Sequence, residues 1–226
     1  MLIDTGGNIS DPNLFSRAYR PFLSLLNLKD IDAVIISHHH PDHYRALEDL
    51  LSYYNIKHVY VPPPYADNFV LDLWKRTDFQ LHTVMSRTDF TVGDISFTLL
   101  PQNSFKKEND RSLWAIVRTK GTSLLFTGDS EKKAIYNALK KFKDFSADIV
   151  KVPHHGAKSS FVKEFYTNIN PSIAIITVGR RNPWHFPSKE VLDFLKANKI
   201  KVFRTDLNGQ ILITFENKGY VVKTYQ

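Results

Sequence analysis

Short β-rich runs alternate with amphipathic stretches along this chain, and that alternation constrains the fold more than any other feature. Strands are predicted at Ala33–Ile36, Val59–Val61, Ile95–Leu99, Trp114–Arg118, Ser123–Phe126, Ile149–Val152, Ile173–Val178, Lys201–Arg204, Gln210–Phe215 and Tyr220–Thr224. Helices are predicted at Tyr44–Tyr54, Asp67–Lys75, Glu131–Phe142, Phe161–Tyr166 and Ser188–Asn198. This order indicates α/β or α+β layering. The Lys120-Gly121 turn predicts an antiparallel hairpin, so we expect a mixed sheet rather than a purely parallel one.

Length and composition favour one folded unit. The chain has 226 residues, 42% of them hydrophobic and 23% charged, which suits a single domain over residues 1–226. No apolar run approaches the ~18 residues of a membrane span, and no signal-peptide pattern is seen. Cysteine is absent, which excludes disulfides and thiolate ligands, so a metal would bind His, Asp, Glu, Asn or water.

The chain is basic, with a formal charge of +7. This balance favours a polyanionic partner such as nucleic acid, and a basic surface without a specific partner is an equally good interpretation. The lysine-rich stretch from Lys132 to Lys143 is predicted to be helical, and such a run is more often a solvated face than a DNA footprint.

A predicted buried strand runs directly into a histidine cluster. Alternation along the chain places His38 and His40 on one side, and Asp42 and His43 follow after a proline corner. Two imidazoles can bind one divalent ion, and a carboxylate with a third imidazole can bind a second one nearby. The alternative is a surface histidine patch or a tag, but a tag would be terminal and would lack the aspartate and the strand. The cluster therefore predicts a metal site.

Two more predicted strands end in residues of the same kind. One ends at Gly128-Asp129, which alone is typical of an ordinary turn, and the other runs into His154-His155-Gly156. Together with the first cluster they form a constellation in which Asp129 could bridge two ions. His58 and His82 belong to no such pattern and are interpreted as structural.

These motifs, in this order, resemble those of the metallo-β-lactamase superfamily. Leu2-Ile3-Asp4-Thr5-Gly6-Gly7 is similar to that family's opening turn. Within the superfamily the chain most resembles the hydrolase domain of ComEC-type DNA-internalisation competence proteins, from residue 2 to about residue 215. The motifs that carry this closer resemblance are Val152–Ser160, Asn182–Pro187 and Phe203–Gly209. The resemblance implies a four-layer αββα sandwich of two mixed β-sheets flanked by helices.

The resemblance also implies a set of ligands for two divalent ions, zinc or manganese. His38 and His40 would form the first site and Asp42 and His43 the second, with Asp129 bridging. The family pattern Val-Pro-Gly-His-Gly, set against this sequence, points to His155 as the remaining ligand of the second site. A shift of one residue to His154 is the alternative.

Two departures from the superfamily pattern matter. Many members have another histidine about twenty residues before the Gly-Asp, whereas this chain has Asn109 there, as the ComEC-type subgroup does. Asn109 or a water would complete the first site, and a site with more oxygen ligands tolerates manganese better. The superfamily also has a strand pair before its opening turn, so we expect a trimmed chain or a member that lacks an edge hairpin.

The function implied is metal-dependent hydrolysis of a phosphodiester in DNA during uptake. A shared water of lowered pKa would be held by the ions and Asp42. His154 or His185 would protonate the leaving oxygen, and the alternative for His185 is that it packs between its aromatic neighbours. Candidate substrate-binding residues are Asn109, Lys158, Ser159, Arg180 and Asn182. Arg181 is a further candidate for a backbone phosphate, and the serines after Lys158 could instead begin a helix.

Two other functions fit parts of the sequence. One is hydrolysis of a lactam, lactone or thioester, against which the basic charge and Asn109 both weigh. The other is a non-catalytic DNA-binding module that keeps metals for structure. The sequence leaves the compartment open. A ComEC-type domain would lie outside the cytoplasm beside a membrane DNA-uptake protein, and any other family member would be expected in the cytoplasm.

Overall fold

A computed structural model describes residues 1–7, 15–63, 75–142, 146–217 and 219–225. Its strands are β1 Leu2–Ile3, β2 Asp30–Ile35, β3 Asn55–Val61, β4 Gln80–Thr83, β5 Thr88–Val92, β6 Ile95–Leu100, β7 Trp114–Thr119, β8 Thr122–Phe126, β9 Ile149–Lys151, β10 Ile173–Ile176, β11 Lys201–Arg204, β12 Gln210–Glu216 and β13 Gly219–Tyr225. Its α-helices are α1 Arg20–Leu25, α2 Pro41–Tyr44, α3 Leu47–Tyr53, α4 Lys132–Lys141, α5 Lys163–Ile169, α6 Lys189–Ala197 and α7 Thr205–Asn208. A π-helical turn, Phe15–Tyr19, precedes α1, and 3-10 turns lie at Asn109–Arg111, Pro153–Gly156 and Lys158–Ser160.

The strands form two large sheets and a small ribbon. One sheet has the order β1-β2-β3-β4, and the other has the order β11-β10-β9-β8-β7-β6-β5. The second sheet is mixed, with parallel pairs from β8 to β11 and antiparallel pairs from β5 to β8. The first is parallel in every pair described, because helices connect β1 to β2 and β2 to β3. The expected fold class is confirmed, although only one of its large sheets is mixed.

Alternation along the strands sorts the side chains into layers. Between the two large sheets the packed residues include Ala33, Ile35, Phe97, Leu99 and Ala115. The opposite face of the first sheet packs on α1 and α3 through Val34, Ile36, Leu23, Leu47 and Leu50. The opposite face of the second sheet packs on α4, α5 and α6 through Ile116, Val150, Ile135, Phe165 and Leu195. The result is the expected helix–sheet–sheet–helix order.

One core residue ties this packing to the loop that follows β8. The Trp114 indole is fully buried and meets Phe165 edge to face at 5.8 Å. Its ring N–H donates to the Ser130 hydroxyl over 2.7 Å, and Ser130 follows Asp129 directly. Because buried indole N–H groups need a partner, this bond anchors the strand end that carries Asp129.

Several element boundaries differ from those that the sequence predicts. The hairpin is confirmed, and both Lys120 (φ 46°) and Gly121 (φ 75°) have the positive φ of its two-residue turn. The helix predicted over Tyr44–Tyr54 is interrupted, because the Ala46 N–H donates to the carbonyl of Gly6 at 3.1 Å. Strands β1, β4 and β5 were not predicted. The predicted helix Asp67–Lys75 lies outside the described residues, apart from its last residue.

No described helix is both long enough and apolar enough to cross a bilayer.

Candidate metal centre

Three strand ends converge on one group of side chains. Asp42 and His43 follow β2, Asp129 follows β8, and His155 follows β9. Each offers one ligand atom, and these atoms all lie within 4.8 Å of one another. Within the described ranges this is the one such group of three or more His, Cys, Asp or Glu side chains. Carboxylate and imidazole ligands at this separation can bind a divalent cation.

Both imidazoles of this group are oriented by hydrogen bonds from Nδ1, the ring nitrogen that points away from the group. His43 Nδ1 donates to Asp4 Oδ2 at 2.7 Å, and His155 Nδ1 donates to the carbonyl of Thr177 at 2.5 Å. Such outer partners fix the ring orientation and leave Nε2 as the ligand atom. The Nε2 atoms of His43 and His155 lie 3.4 Å and 3.5 Å from Asp129 Oδ2.

Strained turns bring these side chains together. His154 (φ 47°) and His155 (φ 54°) are both left-handed, which is uncommon for residues with a side chain. Gly128 (φ 54°) precedes Asp129, and a Cβ there would lie 2.6 Å from the Ser112 hydroxyl oxygen. That same hydroxyl accepts the Asp129 backbone N–H at 3.0 Å. Glycine is therefore required before Asp129, since any side chain would displace the residue that positions it.

A second, smaller set of donors adjoins this group. The His38 ring lies 4.0 Å from the His43 ring and 4.8 Å from the His40 ring, between centroids. His38 Nδ1 bonds to the Ser37 hydroxyl at 3.0 Å, while its Nε2 is buried and has no hydrogen-bond partner among the described residues. We call Asp42, His43, Asp129 and His155 the second half of the centre, and His38 and His40 the first half.

Asn109 contacts Glu131, whose carboxylate lies 3.7 Å from His154 Nδ1. Its side-chain Nδ2 donates to Glu131 Oε1 at 3.3 Å. Since a carboxylate only accepts, the amide nitrogen must face Glu131, which leaves Oδ1 on the other side. Oδ1 is buried and has no hydrogen-bond partner in the described part of the chain. An amide oxygen suits a hard cation such as Mn²⁺.

Charge is concentrated around the second half. Burial raises the pKa of Asp129, but hydrogen bonds from His155 and His43 outweigh it and hold that pKa well below its ordinary value. Burial also lowers the pKa of His43, but Asp4 and Asp129 outweigh it and raise that pKa to about 10. For His38, burial and the neighbouring His43 hold the pKa well below 6.5. Asp4 and Asp129 therefore favour positive charge on the His43 imidazole or on a cation bound beside it.

These residues fit a divalent cation. Three ligand atoms of the two halves are buried and have no hydrogen-bond partner in the described ranges: His38 Nε2, His43 Nε2 and Asp129 Oδ1. Buried polar atoms of this kind cost free energy unless something binds them. The donor set contains nitrogen and oxygen only, which suits zinc or manganese.

His154 lies beside the centre rather than in the group. Its Nε2 is 3.8 Å from Asp129 Oδ2, and its Nδ1 is 3.7 Å from Glu131 Oε1. His185 is exposed, and the ring that contacts His154 is instead Phe186, with centroids 5.5 Å apart. Burial lowers the pKa of His154.

The predicted substrate-binding residues divide into two kinds. Ser159, Arg180 and Arg181 are exposed, and so is Lys158, whose ammonium pairs with Glu190 at 2.5 Å. The side chain of Asn182 instead holds its own loop, because it donates to the carbonyls of Gly179 and Phe186 and accepts the Phe186 N–H. His58 and His82 pair with each other between β3 and β4, at 3.1 Å.

Three residues of the centre were missed from the sequence. The sequence pattern indicates only a turn at Asp4 and only the start of a helix at Glu131. Lys151 closes the apolar strand β9, and its ammonium lies 3.7 Å from Asp129 Oδ1. A cavity of about 680 Å³ opens onto Asp42, His43, Lys151 and His155. The one available signal for Lys151 was a charge within an otherwise apolar strand.

Comparison with known proteins identifies the family. A model of the beta-lactamase superfamily domain matches residues 1–202, so the chain belongs to this superfamily. ComE operon protein 3 of Bacillus subtilis is 32% identical over 244 residues, which cover 100% of this chain and 31% of that protein. Competence protein ComA of Neisseria gonorrhoeae is 23% identical over 84% of this chain and 26% of its own length. The chain thus spans about a third or less of these ComEC-type relatives.

Solved structures agree on the fold. The metallo-beta-lactamase fold protein YhfI from Bacillus subtilis superposes with a TM-score of 0.50 at 15% identity, over 90% of this chain and 83% of that one. The predicted resemblance to the metallo-β-lactamase superfamily and its ComEC-type members is confirmed.

Proposed function

We propose that this chain is a metal-dependent phosphodiesterase that acts on DNA. The observation that carries the proposal is the second half of the centre, whose four ligand atoms lie within 4.8 Å of one another beside an imidazole, His154, that stays outside the group. Metal ligands with a proton-transfer group beside them suit metal-assisted hydrolysis.

When bound, two divalent ions supply Lewis acidity at the phosphoryl oxygens and lower the pKa of the attacking water. The Asp42 side chain is 59% exposed, so its carboxylate can orient that water and accept its proton. His154 presents Nε2 towards Asp129, where it can donate a proton to the leaving oxygen. The Lys151 ammonium, 3.7 Å from Asp129 Oδ1, adds positive charge where negative charge develops.

The preference for DNA rests on charge and on relatives. The formal charge of +7 favours a polyanion, and Arg180 and Arg181 are exposed on the loop that also bears Phe186. One matched relative is a competence protein by name, which supports a role in DNA uptake. We propose that the domain acts as part of, or beside, a membrane DNA-uptake protein.

The test is a panel of substrates with the purified protein loaded with zinc or with manganese. Single- and double-stranded oligonucleotides and a chromogenic phosphodiester are compared with a chromogenic lactam. We expect phosphodiester cleavage that is lost in Asp42→Ala and retained in a control, Asp94→Ala, in the turn between β5 and β6. Intact phosphodiesters with both metals, or turnover of the lactam alone, would overturn the proposal.

A further inference from the structure

The loop between β10 and α6 carries an aromatic pair that leads from the surface to the centre. The Trp184 indole is 71% exposed and stacks on Phe186, with centroids 6.3 Å apart and planes at 18°. Phe186 in turn meets the His154 ring at 5.5 Å and 65°. Because Phe186 links this exposed indole to His154, a planar group of a ligand that reaches the centre could stack on it.

This loop is fixed in place rather than loosely tethered. The Asn182 side chain accepts the Phe186 N–H at 2.7 Å and donates to the Phe186 carbonyl at 3.1 Å. The Ser188 N–H donates to the carbonyl of Gly156 at 2.9 Å, at the turn that carries His154 and His155. A Cβ at Gly156 would lie 2.6 Å from Pro187 Cβ, so the loop and the turn are in close contact. Trp184 is therefore held at a set position relative to the centre.

Positive charge flanks the aromatic pair. Arg180 and Arg181 are exposed on the same loop, ahead of Trp184. Guanidinium groups bind backbone phosphates, and an indole face stacks on any base. A duplex hides its base faces within the stack, whereas a single strand exposes them.

We propose that Trp184 is a stacking platform for an unpaired base of a single-stranded nucleic acid, with Arg180 and Arg181 on the adjoining phosphates. The proposal rests on the proposed phosphodiesterase function and narrows its substrate to single strands. The strand would run from Trp184 past Phe186 and bring a phosphodiester to the group around Asp129.

Binding is measured by anisotropy with a labelled twelve-nucleotide oligothymidylate and with a duplex of equal length. Every protein compared carries Asp42→Asn to prevent cleavage, and its metal content is measured first because Asp42 is itself a candidate ligand. Trp184→Ala should weaken binding of the single strand about tenfold, and Trp184→Phe by less, because a phenyl ring still stacks. Binding of the duplex should change little. Tyr225→Ala, which removes an exposed aromatic ring from β13, should leave both affinities unchanged.

The outcomes separate this proposal from the wider function. Unchanged affinity in Trp184→Ala, or equal losses for single strand and duplex, would overturn the platform even if cleavage persists. Selective binding that depends on Trp184, in a protein that cleaves no nucleic acid, would support the platform while the phosphodiesterase function fails. Metal content, measured on every variant, should equal that of the parent, and a loss of metal in Trp184→Ala would count against a role in stacking.

Discussion

The two halves of the candidate metal centre are built differently. The second half gathers Asp42, His43, Asp129 and His155, and both of its imidazoles are held by oxygen acceptors behind them. The first half has His38 and His40, with His38 held by a neutral hydroxyl. Anionic ligands and charged outer partners raise affinity for a cation. We therefore expect the second half to bind its ion more tightly than the first.

The largest effect should come from Asp129, which we propose to be shared by the two halves. Asp129→Asn keeps the shape but removes the charge, so both ions should bind more weakly. The several kcal/mol of charge stabilisation that bound metal provides correspond to a loss of kcat/KM of about a thousandfold. Metal analysis and phosphodiester turnover measure this, with Asp94→Asn as the control. Two tightly bound ions in Asp129→Asn would contradict a bridging role.

Asp4→Asn should weaken metal binding by the second half more than by the first, because Asp4 contacts His43 directly but reaches His38 only through the Ser37 hydroxyl. Loss of the carboxylate behind His43 should lower the affinity of the tighter ion about 10- to 100-fold, the usual effect of an outer partner. Calorimetric titration with zinc measures it. An equal loss of zinc affinity in the weaker binding event would contradict this difference between the halves.

Asn109→His should reduce the difference in zinc affinity between the two halves. A third imidazole would raise the zinc affinity of the first half and lower its relative affinity for manganese, because nitrogen replaces oxygen. We expect a change of about tenfold, comparable to that of an outer partner. The preference is measured by letting zinc compete with manganese and monitoring bound manganese by electron paramagnetic resonance. An unchanged preference would remove Asn109 from the ligand set.

The sequence predicted the second half better than its surroundings. His43, Asp129 and His155 follow apolar strands that are easily recognised. Parallel pairing of β8 with β9 brings Asp129 and His155 together, whereas His43 comes from the other sheet. Neither Glu131 nor Lys151 could be found in this way, because each lies near its partner only after distant segments pack. The sequence also left open whether His154 or His155 joins the group. That choice depends on the left-handed conformations of His154 and His155 in succession, which no local sequence pattern predicts.

The fold divides in the same way. Long apolar strands such as β2 and β8 were predicted, whereas the two-residue β1 is a strand only because β2 lies beside it. The break before α3 depends on a hydrogen bond to Gly6, some forty residues earlier. Local propensity contains no information on such pairings.

The smallest predicted effect is on how the free energy of unfolding of the chelator-treated protein depends on pH. The pKa of His43 is raised from 6.5 to about 10, so its protonated form stabilises the folded state. That contribution is fully present below pH 6.5 and is lost as the pH rises towards about 10. The difference in unfolding free energy between the parent and Asp4→Asn should therefore shrink over this range. Urea titrations at several pH values measure it, and a difference that grows with pH would be the wrong sign.

The most direct test of the unequal centre is a calorimetric titration of the metal-free protein with zinc. We predict two binding events of different affinity. His155→Ala should remove the tighter event and His40→Ala the weaker one. A single event, or loss of the tighter one in His40→Ala, would contradict the account.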